Sequence, residues 1–582
     1  MSPSGWLDRS ELRIGLGCMR LSTGQNRDQQ NAGEVIAAAL DAGITVFDTA
    51  RAYGRAAEPG DNERLLAGVL RHCGAEQRAR IVTKAGMLRV GGAWVPDGRA
   101  KAIRADCEAS LAALGGMAID TLLIHAPDPQ THWSTSVRAL ARLVDDGLVK
   151  RVGVSNVNRR QLDEALELAP IGAVEVALSV FDDRPLRGGV VERCAELGIT
   201  VIAHSPLGGP RRAPELARRP PLVDVAAAHG VAAAEVALAW LLALSPTLIA
   251  IPGARRPEAA RSCARAAHLD LDRDARAQLT RAFGDRRPSA RPSGRPRRDG
   301  EVVVVMGIPG AGKSRVAESY VAGGYARLNR DERGGRLTAL AGTLGDELGS
   351  GVRRIVLDNT YLTRASRSHV IDAANRYDVP ARCVWVKTSL AQAQVNLVER
   401  LLDRFGALPD PDDLRKLARR EPGVLTPTSQ MRAVRELEPP SPDEGFAGVD
   451  VMPFVHAGRP GPTGAGVFVA AAAFHRTGWE SAVGESEPGT PHLVFDWIPD
   501  GDPETLAPVV ATLAAAVTGP VRGALCSHPA GPPTCWCRPP LPGLLLAFAR
   551  RHGLEPSRCT LIGAAPAHRT LAATLGARYV SA

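Results

Sequence analysis

Three groups of residues in this 582-residue chain have the types and spacing that chemistry needs. Asp48, Tyr53, Lys84 and His125 offer a carboxylate, a phenol, an ammonium and an imidazole. A carbonyl accepting hydride develops alkoxide character, so it needs a proton source and fixed donors beside the growing charge. A tyrosine titrates ordinarily near pKa ~10, and a neighbouring lysine cation is expected to lower that value; Asp48 is expected to pair with Lys84 and hold it. The stretch GIPGAGKS contains Gly307, Gly310, Ala311, Gly312, Lys313 and Ser314 between an apolar strand and an amphipathic helix. Its backbone N–H groups can close on ATP phosphates, Lys313 can reach the outer ones, and Ser314 can bind Mg²⁺. Cys526, His528, Cys535 and Cys537 follow the pattern C-x-H…C-x-C. Four such ligands suit a closed tetrahedral Zn²⁺ site, with reduced thiols as the alternative.

Elements must bring these groups together. Short apolar segments, LRIGLGCMRL, ITVFDTA, RIVTKAG, TLLIHAP, RVGVSN, VEVALSV, TVIAHSPLG and LIAIPGA, alternate with amphipathic helical stretches over residues 1–285. Eight β-α units specify a (β/α)₈ barrel, whose strand ends at the carboxyl-terminal rim hold its chemistry. The Pro-, Gly- and Arg-rich segment 286–300 reads as a basic linker. Residues 301–455 form the phosphate-loop domain, and an Ala-rich third domain covers 464–582. In the second domain, Asp331 follows a short strand, where by itself it reads as a turn residue. Asp358, Asn359 and Thr360 end another strand, where Asp358 can ligate Mg²⁺. The helix VNLVERLLDRFG sets Arg400 and Arg404 four residues apart on one face, as a lid over phosphates or as solvated arginines.

The length suits about three domains, and 45% hydrophobic with 23% charged residues is a globular composition. Net charge is +9, but six arginines lie between Arg286 and Arg298, so the excess concentrates in the linker and does not by itself argue for nucleic-acid binding. Ten scattered cysteines suit a reducing compartment. No apolar run reaches the ~18 residues of a membrane span, so a cytoplasmic protein with no membrane partner is expected. Oligomeric state is not readable.

The stretches GITVFDTARAYG, NERLLAGVL, IVTKAG, IDTLLIHAPD, GLVKRVGVSN, HSPLG and IPGARRPE, spread over residues 11–284, resemble the aldo/keto reductase superfamily. The resemblance implies a TIM barrel that reduces a small carbonyl substrate with NADP(H). Tyr53 would be the proton donor, Lys84 and Asp48 would tune it, and His125 would orient the carbonyl. Ser155 and Asn156 match residues that bind the nicotinamide amide; Glu175 stands where the family generally has glutamine, and His204 where it has a stacking aromatic. Ser205 and Leu207 fall with the cofactor site, and Arg255, Arg256 and Arg261 where the 2′-phosphate is held. Ser262 and Cys263 depart from the family's adenine-contacting pair. The departures leave open a reading as an NADP(H)-sensing regulatory module.

GIPGAGKS with YARLNRDERGG and RRIVLDNT resembles the 5′-hydroxyl polynucleotide kinases, a P-loop NTPase α/β domain. That implies Asp331 as general base and Arg333, Asn359 and Thr360 as acceptor contacts; the acceptor is a nucleic acid or a small molecule. The CSHPAGPPTCWCRPPLPG region resembles HAD-type phosphatases, a Rossmannoid α/β fold, but the expected D-x-D is replaced by alanines in GVFVAAAAF and the late motif reads GAAPAH. No phosphatase activity is expected. Fusion of reductase and kinase suggests nucleic-acid end repair.

Overall fold

The computed structural model of the protein describes residues 6–8, 10–23, 29–54, 58–90, 92–284, 300–453, 463–531 and 533–582. The linker apart from Gly300 lies outside the described residues. The described residues up to 284, with 363–368, form one compact unit, and 300–362 with 369–582 form a second.

In the first unit, eight parallel strands follow chain order: β1 (Leu16–Gly17), β2 (Val46–Asp48), β3 (Arg80–Ala85), β4 (Thr121–Ile124), β5 (Arg151–Ser155), β6 (Ile171–Ala177), β7 (Thr200–His204) and β8 (Leu248–Ile251). A bridge between Ile14 and Ala250, with Gly15 N–H donating to the Ala250 carbonyl at 2.9 Å, brings the last strand back to the first. All eight expected strands are present. Successive side chains of a strand point to opposite faces. Val46, Val82, Leu123, Ala173, Ile202 and Ile249 form an apolar layer inside the barrel with Trp6 and Leu7, while Phe47, Ile81, Leu122, Val174 and Val201 join the outer core against the helices. Helix Trp133–Asp145 shows the matching pattern, burying Val137, Leu140 and Leu143 on one stripe.

After β3 the chain makes an antiparallel hairpin, Met87–Val90 with Ala93–Pro96, that the sequence reading did not anticipate.

The second unit holds two all-parallel sheets. The first comprises β9 (Glu301–Met306), β10 (Ala326–Leu328), β11 (Arg354–Asp358), β12 (Ala381–Lys387) and β13 (Gly448–Pro453), in spatial order β10-β11-β9-β12-β13. β9 is buried on both faces, which its run of valines permits. The second sheet comprises β14 (Val467–Ala470), β15 (His492–Trp497), β16 (Val521–Cys526), β17 (Thr560–Gly563) and β18 (Arg578–Ser581), ordered β16-β15-β14-β17-β18. Each central strand neighbours a reversal of strand order, where open α/β sheets place ligands. Among the described residues no single helix is long and apolar enough to cross a membrane.

Candidate functional site

The barrel site follows from the alternation of its strands. Asp48, Lys84, Glu175 and His204 each stand two residues beyond a member of the inner apolar layer, and His125 does so just past β4. Two residues restore the inward direction, so all five side chains rise from that layer toward the carboxyl-terminal mouth. Lys84 Nζ pairs with Asp48 and donates to the Thr49 carbonyl at 3.1 Å. It also lies 3.3 Å from Glu175 Oε2. Tyr53 sits with its ring centroid 5.0 Å from Lys84 Nζ and 5.7 Å from the His125 ring, edge to face. The four expected catalytic groups therefore converge, and Asp48 does hold Lys84.

Glu175 joins this cluster, a position its reading as an amide contact did not suggest. Two buried carboxylates share one buried ammonium. Burial, then repulsion from Glu175, pushes Asp48 up to about 8 despite Lys84. Burial likewise raises Glu175. Burial alone would lower Lys84, but Asp48 and Glu175 outweigh it and hold the ammonium well above its usual range. The expected lowering of Tyr53 is reversed: burial raises the phenol more than Lys84 lowers it, and Asp48 and Glu175 add to the rise. His125 is held well below its usual value by burial and by the Lys84 charge, so it is neutral; its Nδ1 is buried without a hydrogen bond. Burial and Lys84 bring His204 to about 4.

At the rim, Asn156 adopts φ 58°, the left-handed region. Its side-chain amide donates to the His125 carbonyl at 3.1 Å and to Ser155 Oγ at 3.0 Å. Asn156 Oδ1 is 3.1 Å from His204 Nε2, and Ser205 Oγ is 3.3 Å from His204 Nδ1. Leu207 packs on the barrel core just beyond. Arg255, Arg256 and Arg261 are exposed around the start of helix Pro257–Ala266. Ser262 donates to Glu235 at 2.6 Å, so that position serves the fold. Three exposed cations by a helix N-terminus suit a phosphate, and Ser155 with Asn156 suits a carboxamide; the residues present fit a dinucleotide phosphate.

Trp94, on the unanticipated hairpin, closes one side of the site. Its ring lies 6.1 Å from Tyr53 and 5.8 Å from His125. Its signal was present in the sequence as an apolar segment broken by Gly-Gly, a dipeptide that favours hairpin turns.

In the second unit, Gly307, Gly310 and Gly312 all have positive φ, at 155°, 86° and 86°. Gly310 requires glycine twice, because a Cβ there would overlap the Ala393 carbonyl oxygen and come within 3.0 Å of Leu397 Cγ. Ala311 is buried, and Lys313 Nζ donates to the Ile308 carbonyl at 3.1 Å. Burial pushes Lys313 down to about 8, with Asp358 opposing and Arg400 assisting. Ser314 is exposed on the first turn of helix Lys313–Ala322. Loop, lysine and serine therefore suit a nucleotide's phosphates and its Mg²⁺. Asp358 ends β11 beside β9 and is paired with Arg327 and with Asn329 Nδ2 at 3.1 Å.

Asn329 also caps the one-turn helix that carries Asp331, accepting from its N–H at 2.6 Å. Asn359 Oδ1 accepts from the Arg330 N–H at 2.9 Å, which joins the two kinase-like stretches. Asp331 is half-exposed with Arg330 Nη2 at 3.2 Å. Thr360 accepts from the Gly307 N–H at 3.3 Å, whereas Arg333 points toward Glu347, 3.9 Å away. The expected arginine pair splits. Arg404 is tied to Glu421 and to the Pro422 carbonyl, because that carboxylate comes within reach on the next segment, and only Arg400 adds to the field at Lys313.

Cys526, His528, Cys535 and Cys537 come together with all four ligand atoms within 4.8 Å of one another. Sulfur–sulfur distances are 3.7 Å and 3.5 Å, and Cys537 Sγ lies 3.1 Å from His528 Nδ1. A tetrahedron with bonds of about 2.3 Å to sulfur has edges of about 3.8 Å, so the donors fit Zn²⁺.

Residues 13–282 match the family described as the aldo/keto reductase family, and residues 302–411 match one described as an AAA domain. The chain is similar to the aldo-keto reductase str7 of Strobilurus tenacellus, 31% identical over 252 residues that cover 38% of this chain and 72% of that protein. Similar solved structures include an aldo-keto reductase from Klebsiella pneumoniae in complex with NADPH, at 26% identity and TM-score 0.41, covering 47% of this chain and 92% of that one. Another is the glycerol dehydrogenase from Gluconobacter oxydans, at 24% identity and TM-score 0.43, covering 51% of this chain and 99% of that one.

Proposed function

Because this chain belongs to the aldo/keto reductase family, we propose that its first unit reduces an aldehyde or ketone to an alcohol with NADP(H). The observation that carries this reading is the meeting of Asp48, Tyr53, Lys84 and His125 around one mouth of the barrel. The cofactor, when bound, supplies the hydride. Tyr53, kept protonated by burial, gives its phenolic proton to the carbonyl oxygen as that oxygen gains negative charge. Lys84 stabilises the phenolate left behind, and Asp48 fixes the ammonium. Neutral His125 donates a hydrogen bond that orients the carbonyl. Ser155 and Asn156 take the nicotinamide amide, Ser205 and Leu207 line the same pocket, and Arg255, Arg256 and Arg261 take the 2′-phosphate.

The test is NADPH oxidation with a panel of aldehydes, for the native chain and Tyr53→Phe. Removing one proton donor should lower kcat by roughly 10²–10⁴-fold. NADP(H) binding without turnover in either protein would assign the chain the sensing role instead.

For the second unit we infer an ATP-dependent kinase acting on a polynucleotide 5′-hydroxyl. The glycine loop, Lys313 and Ser314 suit ATP with Mg²⁺, and the brace of Asn329 and Asn359 presents Asp331 as the base. Asp358 serves the metal once Arg327 yields it. Transfer of labelled γ-phosphate to a 5′-hydroxyl oligonucleotide, abolished by Asp331→Asn, is the expected result. Transfer to a nucleoside or sugar alone would replace the polynucleotide by a small acceptor. The third domain, with alanines at Ala471–Ala473 after β14, is read as a phosphatase-like fold without phosphatase chemistry, holding a structural zinc.

A further inference from the structure

The hairpin after β3 presents two different faces. Side chains of cross-strand partners share a face, so Arg89 and Trp94, which are direct partners, project to the same side. That side is the barrel mouth, because Trp94 meets Tyr53 and His125 there. Leu88 and Val95, partners on the opposite side, are exposed. The Arg89 guanidinium stacks on the Trp94 ring with 4.1 Å between its carbon and the ring centroid. Its Nε is buried and has no hydrogen-bond partner, and no carboxylate of a described residue pairs with it. A buried donor without an acceptor is an unfavourable arrangement that native proteins rarely keep without a use.

The cations assigned to the cofactor's phosphate follow β8, at Arg255, Arg256 and Arg261, whereas Arg89 follows β3 and stacks on the same Trp94 whose ring meets Tyr53. We propose that Arg89, presented by Trp94, selects carbonyl substrates that carry a carboxylate or phosphate group beyond the reacting carbonyl. Trp94 supplies a flat wall for the body of such a molecule, and the guanidinium fork takes its anionic end. This rests on the reductase reading of the same site.

The experiment compares pairs that differ in one charged group: 4-carboxybenzaldehyde with benzaldehyde, and glyceraldehyde 3-phosphate with glyceraldehyde. At least one anionic member should have kcat/KM roughly ten- to a hundredfold above its neutral counterpart, the factor expected of one hydrogen bond to a charged group; which pair shows it decides between carboxylate and phosphate. Arg89→Met should erase that preference mainly through KM, and Arg89→Lys should restore part of it. Equal efficiency within both pairs, or a preference that survives Arg89→Met, would overturn the proposal. Calorimetry with 4-carboxybenzyl alcohol and benzyl alcohol, and with glycerol 3-phosphate and glycerol, reads the site without turnover. Tighter binding of a charged alcohol, lost in Arg89→Met, supports the anion site even if no aldehyde is reduced, an outcome that would sink only the hydride-transfer reading. Equal binding within both pairs would remove the anion site.

Discussion

Glu175 puts a second buried carboxylate beside Lys84 and is the charge that most raises Asp48. Its carboxylate and that of Asp48 face one ammonium, so the folded protein keeps a proton that the unfolded chain gives up near pH ~4. The folded pKa of Asp48, about 8, is above the unfolded value. Its stabilising contribution is therefore full at acid pH and is lost as pH rises toward 8. Glu175→Gln removes the repulsion, so the native chain should lose stability between pH 5 and about 8 more steeply than the variant. Relative to its own stability at pH 5, the variant should retain on the order of 1 kcal/mol more than the native chain at pH 8. Denaturant midpoints across that range check both statements; parallel curves would show that the two carboxylates do not share a proton. The four residues proposed for catalysis were legible because each lies at or just past the end of an apolar strand. Glu175 carried the same signal, two residues past inward-facing Ala173. Its place beside Lys84 was not legible, because how neighbouring strands are staggered is fixed by pairing around the whole barrel.

At the scale of elements, the phosphate loop shows what a glycine pattern can and cannot reveal. Gly310 and Gly324 have nearly the same φ, 86° and 85°, but a Cβ at Gly324 meets nothing within 4 Å. Gly324→Ala should cost only left-handed strain, roughly 1–3 kcal/mol. Gly310→Ala adds an overlap with the Ala393 backbone, which cannot rotate away. It should be the more destabilising of the two and should weaken ATP binding at least about tenfold, since the loop's N–H groups lose their common aim. Thermal unfolding and nucleotide titration of both variants test this; equal effects would show that conformation alone matters. The loop was readable from spacing, as were the strands around it. The hairpin of Met87–Val90 with Ala93–Pro96 was not legible because four-residue strands carry little periodicity, and the partner of Arg404 was hidden because Glu421 lies beyond a turn and the helix Pro411–Arg420.

At the scale of the molecule, the cysteine cluster matters for what stands between its ligands. Trp536, flanked by Cys535 and Cys537, is buried and donates its indole N–H to the Leu425 carbonyl at 2.9 Å. It belongs to one apolar cluster with Val395, Leu397, Val398, Leu401 and Leu402 of the helix Leu390–Phe405 and with Leu545, Leu546 and Phe548 of the helix Gly543–His552. The boundary placed between 455 and 464 from composition thus separates the helix Leu390–Phe405 from the second sheet, although Phe468, Leu493, Phe495 and Leu561 of that sheet share its apolar cluster. Four ligands on a short loop fix that loop when a metal is bound, and metal-binding energy becomes folding energy. Zinc analysis should find one equivalent per chain, lost in Cys535→Ser. Stripping the metal with a strong chelator should lower the thermal midpoint of the second unit by several degrees, and it should weaken phosphate transfer as well, because Leu390–Phe405 carries Arg400 toward Lys313. The barrel, whose core contains no member of that cluster, should keep its own midpoint and its NADPH oxidation. A chelator that disturbs NADPH oxidation and phosphate transfer equally, or neither, would contradict a zinc loop that braces the helix Leu390–Phe405.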